Sequence, residues 1–370
     1  MREGGECPAE MRILHTADLH LDSAFEGLVP GKAAARRAEQ RELLFRLAAL
    51  AGKEGADAIL IAGDLLDGDN IYYETGEAIC HAFAQAAVPV FIAPGNHDFY
   101  SSASPYAGLE LPENVYVFKT GRIEHFDFPE RGFRVFGAGF TDSGSKPLLK
   151  GFCADRVPGM RNILCMHGEY GVRNSKYNPI AEEEIADSGM DYIALGHIHL
   201  ASRLYRAGAT CFSWPGCPEG RGFDETGEKT VNIIDIADDG CRMKQVSLAK
   251  RKYEILTVDA NRPETVPEEA KEDLYRIVLK GEVNIQPDLQ AWHDKYSERF
   301  YELQLRDETR LKADLWEKAE EDSLRGLFLK NLKPKYDAAP SKEERIRIER
   351  AVRWGLAALD NREEPVRYDH

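Results

Sequence analysis

The sequence predicts a layered α/β sandwich, two sheets between helices, and three observations carry that prediction. Up to about Val115, short apolar β-prone runs alternate with segments of helical spacing. From there to about Ala249, strand-like runs follow one another. Five blocks rich in Asp, His and Asn each follow directly on an apolar run: DLH at Asp18–His20, GDLLD at Gly63–Asp67, GNHD at Gly95–Asp98, MHG around His167 and GHIH at Gly196–His199.

The elements follow in order. MRILHTA (Met11–Ala17) reads as a strand that ends at Asp18, and the ten residues before it as a disordered leader. A helix over about Ala33–Lys53 sets Leu43, Leu44, Leu47 and Leu50 on one face. AILIAG (Ala58–Gly63) runs into Asp64, a second helix covers about Glu74–Ala87, and VPVFIAPG (Val88–Gly95) runs into Asn96. This rhythm predicts a mainly parallel sheet with helices on its faces. Beyond Val115 come NVYVF, RIEHFDF, FRVFGAGF and NILCMHG, a short helix near Ala181–Asp187, then MDYIALGHIH and further strands. Ligand sites in open α/β sheets lie outside the carboxyl ends of strands, the kind of position all five blocks occupy.

After Lys250 the pattern changes. Strand-like KYEILTVDA and LYRIVLKGEV bracket a Pro- and Glu-rich stretch, Arg262–Asp273, with a short helix, and LQAWHDKYSERFYELQL has helix and strand character. Residues 250–307 therefore read as a small α+β domain after a main domain at 11–249, and 308–370 as a helical C-terminal tail. In the tail, Leu311–Leu332 is rich in helix formers, Pro334 and Pro340 bracket a break, and Ser341 with Glu344 gives a capping-box signature for a helix to about Asn361. Ile348, Val352, Leu356 and Leu359 form one apolar stripe there. Burying each side chain is worth roughly 1.5–3 kcal/mol, so the stripe docks on its own domain or on a partner.

Composition narrows the class. A net charge of −15 argues against a generic nucleic-acid binder, but a bound pair of dications would supply positive charge locally, so DNA is not excluded as a substrate. No apolar run is long enough to span a bilayer. Seven scattered cysteines without a CxxC pair suit reduced thiols in a cytoplasmic protein.

The blocks carry the chemistry. Hydrolysis of a phosphate ester requires a nucleophilic water and neutralisation of the phosphate oxygens, and two metal ions about 3.5–4 Å apart supply both. Such a pair needs a bridging carboxylate, for which Asp64 after the Gly63 turn is the natural choice. Asp18 with His20, and His197 with His199, are spaced to point to one side of an extended backbone, while His167 adds an imidazole and Asn96 a neutral oxygen. Mixed N/O ligation suits manganese, iron or zinc. His97 reads as the catalyst that is not a ligand, with Asp67 placed to hold its ring and raise its pKa. Taken singly, each block has a plainer reading: DxH as a solvated turn, GNHD as a β-turn, Asp67 as a cap, His97 as loop support. His15 reads as a packing residue, His81 belongs to a helix face, and His125 and His293 have no ligand-like neighbours.

With these residues in view, the chain resembles the calcineurin-like metallophosphoesterase superfamily over about residues 11–245. HTADLHLDSAFEGL with LIAGDLLD resembles its DNA repair exonuclease branch, the SbcD- and YhaO-like proteins. The resemblance implies a four-layer α/β sandwich with a small cap domain at 250–307. It implies one metal held by Asp18, His20, Asp64 and His199 and another by Asp64, Asn96, His167 and His197. It also implies manganese, a DNA substrate and an SbcC-like ATPase partner bound through Ser341–Asn361; a homodimer stays open. Some nuclease relatives carry His at the position of Asp67, which brings this dyad nearer the phosphatase arrangement. The alternative is a phosphodiesterase or phosphatase for a nucleotide, lipid or phosphoprotein, although phosphoprotein phosphatases place Arg where Gly68 stands. A non-catalytic scaffold would be expected to have lost ligands, and none is missing.

Overall fold

The computed structural model describes residues 10–359 apart from 269, 284 and 312–314. Its first sheet is built from β1 (Glu10–Thr16), β2 (Ala58–Ile61), β3 (Val90–Ile92), β4 (Val115–Val117), β13 (Thr230–Ala237) and β14 (Gly240–Ser247), in the order β14-β13-β1-β2-β3-β4. Strands β1 to β4 are parallel and β13 joins β1 antiparallel, Ile13 facing Ile234. The second sheet is built from β5 (Glu124–Phe128), β6 (Phe133–Ala138), β7 (Arg161–His167), β10 (Tyr192–Gly196), β11 (Tyr205–Ala207) and β12 (Thr210–Ser213), in the order β11-β12-β10-β7-β6-β5. A two-residue pair, β8 (Glu169–Tyr170) and β9 (Pro179–Ile180), follows β7.

Side-chain alternation along the strands builds the layers. Leu14, Ile59 and Ile61 face α1 (Pro30–Glu54) and α2 (Tyr73–Gln85), packing with Leu43, Leu44, Leu47, Ile79 and Phe83. Their sequence neighbours Ile13, Ala58 and Leu60 face the second sheet, where they meet Val135, Ile163, Cys165 and Tyr192. The other face of that sheet buries Leu164, Met166, Ile193 and Leu195 against Ile185 of α4 (Glu182–Asp187). Helix, sheet, sheet and a thin outer layer give the expected four-layer sandwich. Helix α3 (Pro105–Gly108) is a single turn that buries Tyr106. The described cysteines are free thiols.

His15 is a packing residue with polar bonds. Fully buried between the sheets, it bonds the Tyr192 hydroxyl at 2.9 Å and the Leu195 carbonyl at 3.0 Å.

A three-stranded sheet follows, ordered β15 (Tyr253–Asp259), β16 (Ala270–Lys280) and β18 (Phe300–Asp307), with α5 (Leu289–Tyr296) before its last strand. The short helix expected within Arg262–Asp273 is a 3₁₀ turn at Pro263–Thr265. By its contacts the chain divides into two compact units. One comprises the chain up to Leu256 with Pro267–Ile277 and Lys295–Gln304; the other comprises Thr257–Val266, Val278–Asp294 and the chain from Leu305.

The second unit contains the pair β17 (Glu282–Val283) and β19 (Arg310–Leu311), then α6 (Leu324–Asp337) and α7 (Lys342–Leu359). Two expectations are corrected here. The helix expected from Leu311 begins, among the described residues, only at Leu324, because Ser323 caps it by accepting from the Gly326 N–H at 3.0 Å, and residues 315–323 form turns and bends. Nor does the chain break at Pro334: α6 continues to Asp337. Proline withholds one donor near the helix end, and Lys330, whose carbonyl would have received it, is exposed to water. Ser341 does cap α7, accepting from the Glu344 N–H at 3.2 Å, while the Glu344 carboxylate pairs with Arg347. Ile348, Val352 and Leu356 pack on Leu329, Phe328 and Leu332 of α6, so most of the stripe is covered by its own unit. The expected last turn, at Asn361, and the leader before Glu10 lie outside the described residues.

Candidate metal centre

All five blocks meet at one end of the two sheets. Asp18, Asp64 and Asn96 follow β1, β2 and β3, which are mutually parallel; His167 ends β7, and His197 and His199 follow its parallel neighbour β10. Beyond their strands the first two blocks run side by side, the Asp18 N–H donating to Gly63 O at 3.0 Å, His20 N–H to Asp64 O at 2.9 Å and Leu21 N–H to Leu65 O at 2.9 Å. Asp18, His20, Asp64 and His197 all have left-handed backbone, with φ of 54°, 46°, 50° and 90°. Such backbone costs of order 1–3 kcal/mol per residue and marks sites where the surroundings dictate geometry.

Two glycines make room. A Cβ on Gly63, itself at φ +93°, would stand 2.1 Å from His167 Nδ1, and one on Gly95 would stand 2.2 Å from Asp64 Oδ1.

The ring nitrogens show what the cage is built to hold. His20 Nδ1 lies 3.0 Å from Asp67 Oδ1, His199 Nδ1 2.6 Å from Glu225 Oε1, and His167 Nδ1 2.9 Å from Ala62 O. These carboxylate and carbonyl partners are acceptors, so each Nδ1 carries the proton and each Nε2 presents a lone pair; Arg221 Nη2, 3.3 Å from His199 Nδ1, donates to Glu225 instead. These lone pairs point at one another and at more acceptors. His20 Nε2 lies 3.3 Å from His199 Nε2 and 3.7 Å from Asp64 Oδ2, and His199 Nε2 lies 3.8 Å from Asp18 Oδ1. His167 Nε2 lies 3.5 Å from the same Asp64 Oδ2, 3.0 Å from Asn96 Oδ1 and 3.2 Å from His197 Nδ1, which is 3.2 Å from Asn96 Oδ1. The Nε2 lone pairs of His20, His199 and His167, facing carboxylate oxygens and, for His20 and His199, each other, repel unless a cation lies among them. The donor set, nitrogen and oxygen with Asp64 Oδ2 common to both halves, fits two divalent cations.

The protonation tendencies agree. Burial pushes His20 and His197 down to about 4, leaving neutral imidazoles with free lone pairs. Burial and the neighbouring Asp64 charge push the Asp18 carboxyl well up. Burial works in the same sense on Asp64, but the charge of the facing His167 and His20 rings wherever they are protonated, and the His97 N–H at 3.0 Å from Oδ1, draw it below its usual range.

The dyad differs from expectation in its partner. Asp67 makes its hydrogen bond to His20; His97 Nδ1 approaches the same oxygen only to 3.6 Å, and its half-exposed ring stands edge-on to His20 with centroids 4.7 Å apart. The reason is that Leu21 and Leu66 pair as a β-bridge, which carries Asp67 along the His20 loop.

Three residues whose roles the sequence reading missed support the cage. Glu225 holds His199, Arg221 donates to both Glu225 (2.8 Å) and Asp67 (3.2 Å), and buried Asp98 accepts from Gly95 N, Leu66 N and the Tyr106 hydroxyl. Burial and the Asp64 charge push Asp98 up to about 6. Burial opposes ionisation of Glu225, yet the hydrogen bonds from His199 and Arg221 keep its carboxyl low. Asp98 lies within the GNHD block, and the sequence signal for Arg221 and Glu225 was a charged pair four residues apart in the glycine-rich stretch GRGFDE.

A family model described as calcineurin-like phosphoesterase matches residues 11–201. The chain is 28% identical over 240 residues to the uncharacterized metallophosphoesterase YhaO of Bacillus subtilis, covering 62% of this chain and 58% of that protein. It is 26% identical over 271 residues to the SbcD component of the nuclease SbcCD of the same organism, covering 61% and 66% respectively. It is also 26% identical over 268 residues to the DNA double-strand break repair protein Mre11 of Saccharolobus solfataricus, covering 67% and 66%. The chain thus spans less than two thirds of the length of each of these relatives.

Proposed function

The chain belongs to the calcineurin-like phosphoesterase family, whose model spans more than half of it, and we propose that it is a two-metal phosphodiester hydrolase acting on DNA. The observation that carries this reading is the convergence of imidazole lone pairs and carboxylate oxygens on both sides of Asp64 Oδ2. In this reading Asp18, His20, Asp64 and His199 hold one cation, and Asp64, Asn96, His167 and His197 the other, with manganese the ion of choice. Such cations supply neutralising charge at the phosphate and acidify water.

The chain's own residues do the rest. Asn96 keeps the cage from carrying a third negative charge. His97, exposed at the cage edge, stabilises charge on the departing oxygen or protonates it, and its backbone N–H fixes the shared carboxylate. Asp67 holds His20 by a hydrogen bond and sets its negative charge 3.6 Å from the His97 ring, where it favours the protonated form.

DNA is favoured as substrate because two of the similar proteins are named as a nuclease component and a double-strand break repair protein. In the same reading residues 11–249 carry the chemistry, 250–307 serve as a cap that helps position DNA, and 308–370 meet an SbcC-like ATPase. The exposed Leu324, Leu327 and Trp354 of α6 and α7 are surface such a partner would cover. The test is hydrolysis of end-labelled single- and double-stranded DNA by the manganese-loaded protein, beside a small chromogenic phosphodiester. Cleavage of DNA that a chelator abolishes supports the proposal. Intact DNA with rapid turnover of the small ester overturns the DNA assignment, and inertness toward both overturns the hydrolase.

A further inference from the structure

We propose that Arg221 and Glu225 are positioning residues that set metal affinity on the His20–His199 side of the cage and leave the His167–His197 side unchanged. The inference rests on the two-metal reading above. His20 and His199 come from loops 179 residues apart, yet their Nε2 atoms must hold a fixed 3.3 Å separation. Each ring is aimed through its Nδ1–H by a carboxylate, Asp67 for His20 and Glu225 for His199. One guanidinium fastens those carboxylates together: Arg221 Nη1 donates to Asp67 Oδ1 at 3.2 Å, and Nη2 donates to Glu225 Oε1 at 2.8 Å. The Arg221 backbone N–H donates to the other Glu225 oxygen at 2.8 Å, so the carboxylate is gripped at both ends.

The clamp is itself anchored. Arg36, fully buried on α1, donates to Glu219 at 2.6 Å and to the Gly220 carbonyl at 3.1 Å, fixing the two residues before Arg221. The other half of the cage is aimed differently: His167 by the Ala62 carbonyl, and the His197 ring by the Tyr177 ring, centroids 4.7 Å apart. Two cation positions that share Asp64 are therefore supported by unlike means, one by an ionic clamp and the other by a backbone carbonyl and an aromatic ring. Loss of the ionic support should act on one position alone. Removing a group that orients a ligating histidine typically weakens metal binding 10–100-fold.

The test uses the full chain with manganese alone as probe, combining metal stoichiometry, calorimetric titration and electron paramagnetic resonance. The wild type is expected to bind two ions with the spectrum of a spin-coupled pair. Arg221→Leu and Glu225→Gln should each keep one tight ion with an uncoupled six-line signal and bind the second 10–100-fold more weakly. Arg221→Lys, which keeps the charge but cannot span both carboxylates, should fall between. Glu225→Gln is nearly isosteric and carries the test if Arg221→Leu fails to fold. Variants that retain a tight coupled pair, or folded variants that lose both ions together, overturn the inference while the metal reading stands. A wild type that binds no manganese overturns the metal reading instead.

Discussion

Replacing Gly63 with alanine tests how backbone shape creates the chemistry. The added methyl would stand 2.1 Å from His167 Nδ1, 2.5 Å from Cγ and 2.7 Å from Cβ, so the ring must retreat by about 1 Å, a displacement that can cost on the order of 10²-fold in rate. Retreat also breaks the 2.9 Å bond to Ala62 O that keeps Nε2 unprotonated and aimed at Asn96 and Asp64. Alanine at φ +93° adds strain of about 1–3 kcal/mol. The expected result is a protein of lower melting temperature that binds manganese 10–100-fold more weakly on the His167 side and turns over about 10²-fold more slowly. Titration followed by spin resonance, with hydrolysis of a phosphodiester in parallel, measures both. A Gly63→Ala protein with unchanged affinity and turnover would refute the reasoning.

Other perturbations separate catalysis from folding. His97→Ala should keep its metal content while hydrolysis slows by roughly 10²–10⁴-fold, and metal loss equal to that of Asp64→Ala would show that His97 is a ligand. Burial pushes His15 down to about 3, so between pH 6.5 and 3 the unfolded chain binds more protons than the fold. Its contribution is intact above about pH 6.5 and lost as the pH falls, by about 2–3 kcal/mol between pH 7 and 4.5. Urea unfolding in chelator should therefore show a shallower pH slope for His15→Asn, and equal slopes would sink the idea. Leu329→Ala, in the α6–α7 contact, should cost about 2–5 kcal/mol locally and speed hydrogen exchange in both helices with metal content unchanged.

The cage was legible in the sequence because its parts come from strand ends. A run such as AILIAG announces its own secondary structure, and parallel strands deliver their last residues to one edge, which sets Asp18, Asp64 and Asn96 at one edge of the first sheet and His167 and His197 at one edge of the second. What was hidden depends on loops. Arg221 and Glu225 sit in a glycine-rich segment with no periodicity, and Asp67 chose His20 over His97 because of a bridge between Leu21 and Leu66 that spacing does not reveal. The tail was misread for a related reason: helix-forming composition from Leu311 onward did not reveal that the helix waits for the Ser323 cap.

The left-handed twist at four of the cage residues has a consequence for anyone who would redesign this pocket. Asp, Asn and His tolerate that conformation better than longer or branched side chains do. A library that trades Asp18 or Asp64 for glutamate to court a different ion therefore alters chain shape as well as reach. Retuning by outer partners such as Glu225 leaves those four torsions untouched and offers the gentler route to a new metal preference.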